Sequence, residues 1–214
     1  PIFSSTCESE YSGKVSIKLA IFYASTLCFL AFLVLINFNL FTIILAFASM
    51  PLAFTYPLMK RFTYWPQLFL GITFNYGLIL GWTAVNGGIS LVPIVFYVGA
   101  IFWTLGYDTI YGYQDIKDDE IIGLKSTSIK FKGKAKKFLF LCYSLLLILF
   151  LIGGYFMEFD KNYYFFSLIP FLHLFFYQMR IFRQNDSSSC LKAFKSNNIF
   201  GLIIGINFLI SKII

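Results

Sequence analysis

The 214-residue sequence is 58% hydrophobic and 21% aromatic, carries 13% charged residues and has a formal net charge of +7. An ordinary soluble domain has about 25% charged residues, so a water-soluble core is excluded for most of this chain, and long unbroken apolar runs in place of alternation exclude a transmembrane β-barrel. The excess of Lys and Arg does not indicate a nucleic-acid binder, because these residues lie between apolar stretches and not along one soluble face.

In chain order, residues 1–18 are expected to be an irregular N-terminal segment and residues 19–214 a transmembrane helical domain. Seven apolar windows of about 17 to 20 residues follow, each long enough to cross a hydrocarbon layer. They are Leu19–Ile36, Asn39–Tyr56, Gln67–Val85, Leu91–Tyr107, Phe138–Met157, Tyr163–Met179 and Asn198–Ile214. The fold class predicted is all-α, a polytopic bundle of about seven spans. Turn residues separate the windows: Asn37-Phe38-Asn39, the Pro57–Pro66 stretch, Asn86-Gly87-Gly88 and Ser187-Ser188-Ser189.

Seven spans place alternate connections on opposite sides, and this alternation puts fifteen of the seventeen Lys and Arg on one side. Only Lys161 and Lys212 fall on the other. The basic side is therefore predicted to be cytoplasmic, or its organellar equivalent. The run from Lys130 to Lys137 reads as an anchor on anionic lipid. Cys7, Cys28, Cys142 and Cys190 show no metal-ligand spacing and suggest neither a disulfide framework nor a zinc site. His173, the single histidine, reads as a buried hydrogen-bonding group, and Asn75 as an amide in need of partners within the membrane.

Chemistry concentrates between the fourth and fifth windows, where Asp108, Asp115, Asp118, Asp119 and Glu120 make up half of the ten acidic residues. If the fourth helix runs on through them, steps of seven and four residues bring Asp108, Asp115 and Asp119 within about 20° of one line. Carboxylates on one helical edge repel unless a cation lies between them, and one or two carboxylates with phosphate oxygens suit Mg²⁺. A solvated loop whose acids offset its lysines is the competing reading. Gly123 and Lys125-Ser126-Thr127 follow at once, small and polar groups able to meet a phosphate. On the same side, Tyr56 precedes Lys60-Arg61. These two cations can clamp a polyanion, and Arg61 can bind a carboxylate or phosphate with two parallel hydrogen bonds.

The segments Gly106-Tyr107-Asp108-Thr109-Ile110-Tyr111, Gln114-Asp115-Ile116-Lys117-Asp118-Asp119 and Gly123-Leu124-Lys125-Ser126-Thr127 resemble the second aspartate-rich motif of the UbiA superfamily of intramembrane prenyltransferases. Tyr56 through Thr63, with Trp65-Pro66-Gln67, is similar to a segment of the superfamily's 4-hydroxybenzoate polyprenyltransferase branch. The resemblance implies a nine-span helical fold, of which the seven windows fit the last seven. It also implies Mg²⁺, polyprenyl diphosphate and 4-hydroxybenzoate as cofactor and substrates, in ubiquinone biosynthesis, in a bacterial inner membrane with the active-site loops cytoplasmic or in the mitochondrial inner membrane. Asp115 and Asp119 would hold Mg²⁺ as a DxxxD pair, with Asp118 beside them. Lys60 would meet diphosphate, Arg61 the aromatic acid or diphosphate, and Tyr56, Asp108 and Lys125 would line the substrate site.

The superfamily's first aspartate motif has no counterpart in this sequence, and the chain is expected to be N-terminally incomplete. Alternatives are a haem, menaquinone or chlorophyll branch of the superfamily, or an inactive remnant. A transporter is the reading from a different class. Membrane lipid is an expected partner and nucleic acid is not. The sequence carries no signature of oligomeric state.

Overall fold

The hydroxyl of Ser16 accepts a hydrogen bond from the amide of Leu19 and starts the first apolar helix, α1 (Ile17–Leu35). The computed structural model describes residues 16–213, so most of the N-terminal segment read as irregular lies outside the described residues. Its last residues, Ile17 and Lys18, are already helical. None of the residues of α1 is buried by the rest of the protein. A helix of this length that is apolar all round is matched to lipid.

Asn39 caps α2 (Leu40–Thr55) by accepting from Thr42 N at 2.9 Å. The chain then tightens into a 3₁₀ turn, Tyr56–Leu58, and a short helix α3 (Met59–Phe62). The third predicted span is not one continuous helix. It forms α4 (Pro66–Phe74), with Pro66 at a position that needs no N–H donor, and α5 (Tyr76–Asn86), interrupted at Asn75. The Asn75 side-chain amide donates to Gly71 O at 2.8 Å, Thr104 Oγ1 at 2.8 Å and Ala100 O at 3.2 Å. The partners that a polar group needs in lipid are thus found on its own helix and on α6 (Leu91–Gly112).

Two short helices, α7 (Ile116–Ile122) and α8 (Thr127–Lys130), precede the long α9 (Ala135–Phe156). The bundle's interior centres on α6 and α9. Water gives no hydrophobic drive between helices in lipid, so close packing must hold them. Here Gly106 lies beneath the Tyr143 ring, and the position of a Cβ on Gly99 would be 3.4 Å from the Leu149 side chain. On α9, Leu139, Cys142, Tyr143, Leu146, Phe150 and Gly153 repeat at helical spacing and are all buried.

Among the described residues, six helical segments are long and apolar enough to cross a membrane. The remaining predicted crossing is helical but divided into α10 (Lys161–Leu172), a π-helical stretch His173–Gln178, and α11 (Met179–Ile181). Gln178 is fully buried. Its amide nitrogen donates to Ala193 O at 3.0 Å and Ser196 Oγ at 3.2 Å, and its carbonyl accepts from the Tyr143 hydroxyl. His173 is partly buried with its Nε2 3.1 Å from Ser196 O, the hydrogen-bonding role expected of it.

Ser187–Ser189, expected as a turn, instead opens α12 (Ser187–Lys195), because Asp186 supplies an N-cap to Ser188 N at 3.0 Å. The final helix is α13 (Asn197–Ile213). Three connections meet at one end of the bundle: Lys125 N donates to Lys60 O at 2.8 Å, and the Tyr113 and Phe182 rings lie 5.5 Å apart. This is the shared side that the alternation of basic residues requires.

Candidate functional site

Lys60 and Arg61 stand in the last turn of α3, immediately after the 3₁₀ turn that begins with Tyr56. The acidic residues arrive from a different element than sequence reasoning expects. The fourth span does not continue through them: α6 ends at Gly112, and the amides of Tyr113 and Gln114 fold back onto Ile110 O and Tyr111 O. A new helix then begins, with Asp115 as its N-cap residue and Asp118 and Asp119 in its first turn. Asp108 therefore sits on a separate helix from the other three. Asp115 and Asp119 keep their four-residue spacing, with Asp119 N donating to Asp115 O at 2.9 Å.

Gly123 ends α7 with φ of +77°, a left-handed conformation that glycine adopts without Cβ strain. Leu124 N closes the end by donating to Asp119 O at 2.8 Å. The chain then runs alongside α3. Besides the main-chain bond from Lys125 to Lys60, Lys60 Nζ lies 3.3 Å from Asp119 Oδ2. The Asp119 side chain is 9% exposed and that of Lys60 42%. Lys60, read from the sequence as one of two cations able to clamp a polyanion, thus already touches one of the acids. Its charge also acts on Asp108, whose charge acts in turn on Tyr56. Lys125 Nζ is 3.4 Å from Phe62 O and 5.7 Å from the centre of the Tyr64 ring. Arg61 is exposed and forms no ion pair among the described residues.

Behind this surface lies a buried polar layer that includes Ser126 and Thr127; read from the sequence as able to meet a phosphate, both are fully buried and bonded within the protein. Gln67, 3% exposed, accepts from Thr127 N at 3.0 Å. The hydroxyls of Thr109 and Thr127 are 2.6 Å apart, and Ser128 Oγ donates to Thr109 O at 2.8 Å. Gly112 admits the Ser128 hydroxyl where any Cβ would collide with it. The sequence signal was the pairing of Pro66-Gln67 with Ser126-Thr127-Ser128, polar side chains at the ends of apolar runs. Just before Asp115, the Tyr111 and Tyr113 hydroxyls and the Gln114 amide nitrogen are buried without a partner among the described residues. Burial raises the Tyr113 hydroxyl's pKa, with the nearby Cys190 thiol adding to the effect.

Among the described residues, no three His, Cys, Asp or Glu side chains are gathered closely enough to hold a metal unaided. The donor chemistry nevertheless fits Mg²⁺, which takes one or two carboxylates and completes its shell with water and substrate phosphate. The Asp115 and Asp118 carboxylates make no side-chain hydrogen bond among the described residues.

The model of the UbiA prenyltransferase family matches residues 11–202. The chain belongs to this family. It is 40% identical over 202 residues to the 4-hydroxybenzoate octaprenyltransferase of Vibrio parahaemolyticus, covering 94% of this chain and 70% of that protein. The enzyme of the same name from Francisella tularensis subsp. tularensis is 37% identical over 204 residues, covering 95% of this chain and 70% of the relative. Among solved structures, a UbiA homologue from Aeropyrum pernix K1 superposes with a TM-score of 0.78 at 21% identity, covering 94% of this chain and 75% of that one. A digeranylgeranylglyceryl phosphate synthase superposes with a TM-score of 0.66 at 19% identity, covering 94% of this chain and 71% of that one. These superpositions establish the UbiA fold, an integral membrane helical bundle, and the family expectation from the aspartate motif is borne out.

Proposed function

We propose that this protein transfers a polyprenyl group from polyprenyl diphosphate to a ring carbon of 4-hydroxybenzoate, a step of ubiquinone biosynthesis. The identity to octaprenyltransferases that use this acceptor supports the substrate. The observation that carries the chemistry is the contact between the two motif segments: Lys60 against Asp119, with the main chains of Lys60 and Lys125 bonded beside it. Cations and carboxylates side by side are what a substrate diphosphate and its metal ion need, and this supports the reading.

In this reading Asp115 and Asp119, with Asp118 beside them, would hold Mg²⁺, which would supply positive charge against the departing diphosphate. Lys60 exchanges part of its contact with Asp119 for a diphosphate oxygen, and Lys125 offers a second ammonium from the adjoining loop. Leaving-group charge is thereby stabilised as the allylic C–O bond breaks. Arg61, with no ion-pair partner to give up among the described residues, binds the carboxylate of the aromatic acid. Tyr56 and Asp108 line the space between. The acceptor ring captures the allylic carbon and then loses a proton from the same ring atom. Apolar helices and lipid keep water from intercepting the carbocation. The basic face carrying these groups is cytoplasmic, with the bacterial or mitochondrial inner membrane as the setting.

The test is turnover by the membrane-embedded protein of polyprenyl diphosphate with labelled 4-hydroxybenzoate, in competition with acceptors lacking the carboxylate. Preferential, divalent-ion-dependent labelling of prenylated 4-hydroxybenzoate is expected. Equal use of an acceptor without the carboxylate would remove Arg61 from its assigned role and favour another branch of the family.

A further inference from the structure

Five lysines stand between Lys130 and Lys137, and the structure divides them into two sets. Lys130 and Lys132 are engaged: the Lys130 ammonium lies 4.4 Å from the centre of the Trp65 ring, and Lys132 pairs with Glu120 at 2.7 Å. Lys134, Lys136 and Lys137 are exposed and form no ion pair among the described residues. These three line a cleft of about 350 Å³ whose other wall is Phe182 and Gln184, the segment that follows the sixth crossing. Arg183 lies between the two wall residues in the chain but does not line the cleft, and Asp186, within reach of its charge, is already committed to Ser188.

The cleft's position indicates its occupant. Lys136 and Lys137 are in the first turn of α9, where that helix enters the apolar layer. Four residues further on, and so on the same faces, are Phe140 and Leu141, 56% and 55% exposed. The Phe140 ring packs 5.4 Å from Phe175 of the sixth crossing, which closes the furrow between the two helices below the cleft. A ligand with anionic oxygens at one end and acyl chains at the other satisfies both surfaces at once.

From this arrangement we infer that the cleft formed by Lys134, Lys136, Lys137, Phe182 and Gln184 is a binding site for the phosphate of an anionic phospholipid. The residues that line it are not those of the Lys60–Asp119 surface, and it takes no part in the transfer reaction. The unpaired ammonium groups hold the headgroup, and the acyl chains lie along the exposed face of α9. Basic pockets beside spanning helices bind such headgroups, with each cation near the surface adding to the affinity.

The test uses the whole protein in nanodiscs of phosphatidylcholine with or without phosphatidylglycerol. Native mass spectrometry reads retained lipid, and the melting temperature reads stabilisation. Phosphatidylglycerol is expected to be retained and to raise Tm, and the triple variant K134Q/K136Q/K137Q to weaken that retention by about tenfold or more. The triple Lys→Arg variant should restore it, separating lost binding from misfolding. A K192Q/K195Q control, which removes charge from α12, should retain lipid as the unsubstituted protein does. Wild-type retention by the triple glutamine variant would overturn the inference, as would equal loss in the α12 control, which would mean diffuse attraction. Stabilisation by inorganic phosphate equal to that by phosphatidylglycerol would assign the cleft to a free anion and overturn the lipid assignment.

Discussion

Replacing Asp119 by Asn removes one negative charge with almost no change of shape, so its effects on folding and on chemistry can be compared directly. Two unit charges 3.3 Å apart attract by about 5 kcal/mol at an effective dielectric of 20. Little of this counts toward stability, because Lys60 is 42% exposed and water screens the pair. The net contribution expected of such a pair is roughly 0–1 kcal/mol. The main-chain role of Asp119, its carbonyl accepting from Leu124 N, survives the substitution. Asp119→Asn should therefore move the melting temperature only slightly. Its effect on transfer is of a different order, since a lost metal-binding carboxylate removes several kcal/mol of transition-state stabilisation, a loss of about a hundredfold or more. The assay pairs turnover across a titration of divalent ion with a thermal melt on the same preparation. Near-normal turnover with unchanged ion dependence would refute the assignment. A large fall in Tm matching the loss of activity would show that the carboxylate holds the fold and not the diphosphate.

Arg61→Lys should raise the KM for 4-hydroxybenzoate well beyond what its retained charge suggests, because an ammonium cannot reproduce a planar fork on a carboxylate; Tm should not change, since Arg61 is exposed and unpaired among the described residues. Gly106→Ala forces a methyl into the Tyr143 ring, which Gln178 holds in place, and should destabilise by about 1–3 kcal/mol, read as a lowered Tm that Tyr143→Leu partly relieves. The Ser188 hydroxyl holds the Asp186 carboxyl below the usual carboxylate range, so the cap on α12 contributes above the unfolded value of about 3.9 and is lost as pH falls through the lower folded value. The protection of the Ser188 amide against exchange, relative to its intrinsic rate at each pH, should fall over that acidic window, and Asp186→Asn should abolish this pH dependence.

Spanning segments were legible because lipid demands length and apolarity, both local properties of a sequence. Helix ends were less so. Asn75 interrupts a run whose hydropathy gives no warning, since the break depends on Ala100 and Thr104, distant in sequence. The π-helical stretch at His173–Gln178 likewise belongs to Gln178's partners on α9 and α12, not to its neighbours in the chain. For the candidate site, residue types and the DxxxD spacing picked out two segments that the fold brings into contact. The assumption of one continuous helix failed because the chain turns at Tyr113 and Gln114 before Asp115. Direct contact of Lys60 with Asp119 spans 59 positions and could not be read from either motif alone.

The hydrogen bond from Lys125 N to Lys60 O joins the two motif segments without using a side chain. Substitutions at either position other than proline at 125 leave its donor and acceptor in place. The spacing between the Lys60-Arg61 segment and the segment from Asp115 to Lys125 is thus independent of the side chains proposed to bind the substrates. Under the proposed assignments, acceptor preference and diphosphate affinity can be altered one side chain at a time while the spacing of the two segments stays the same.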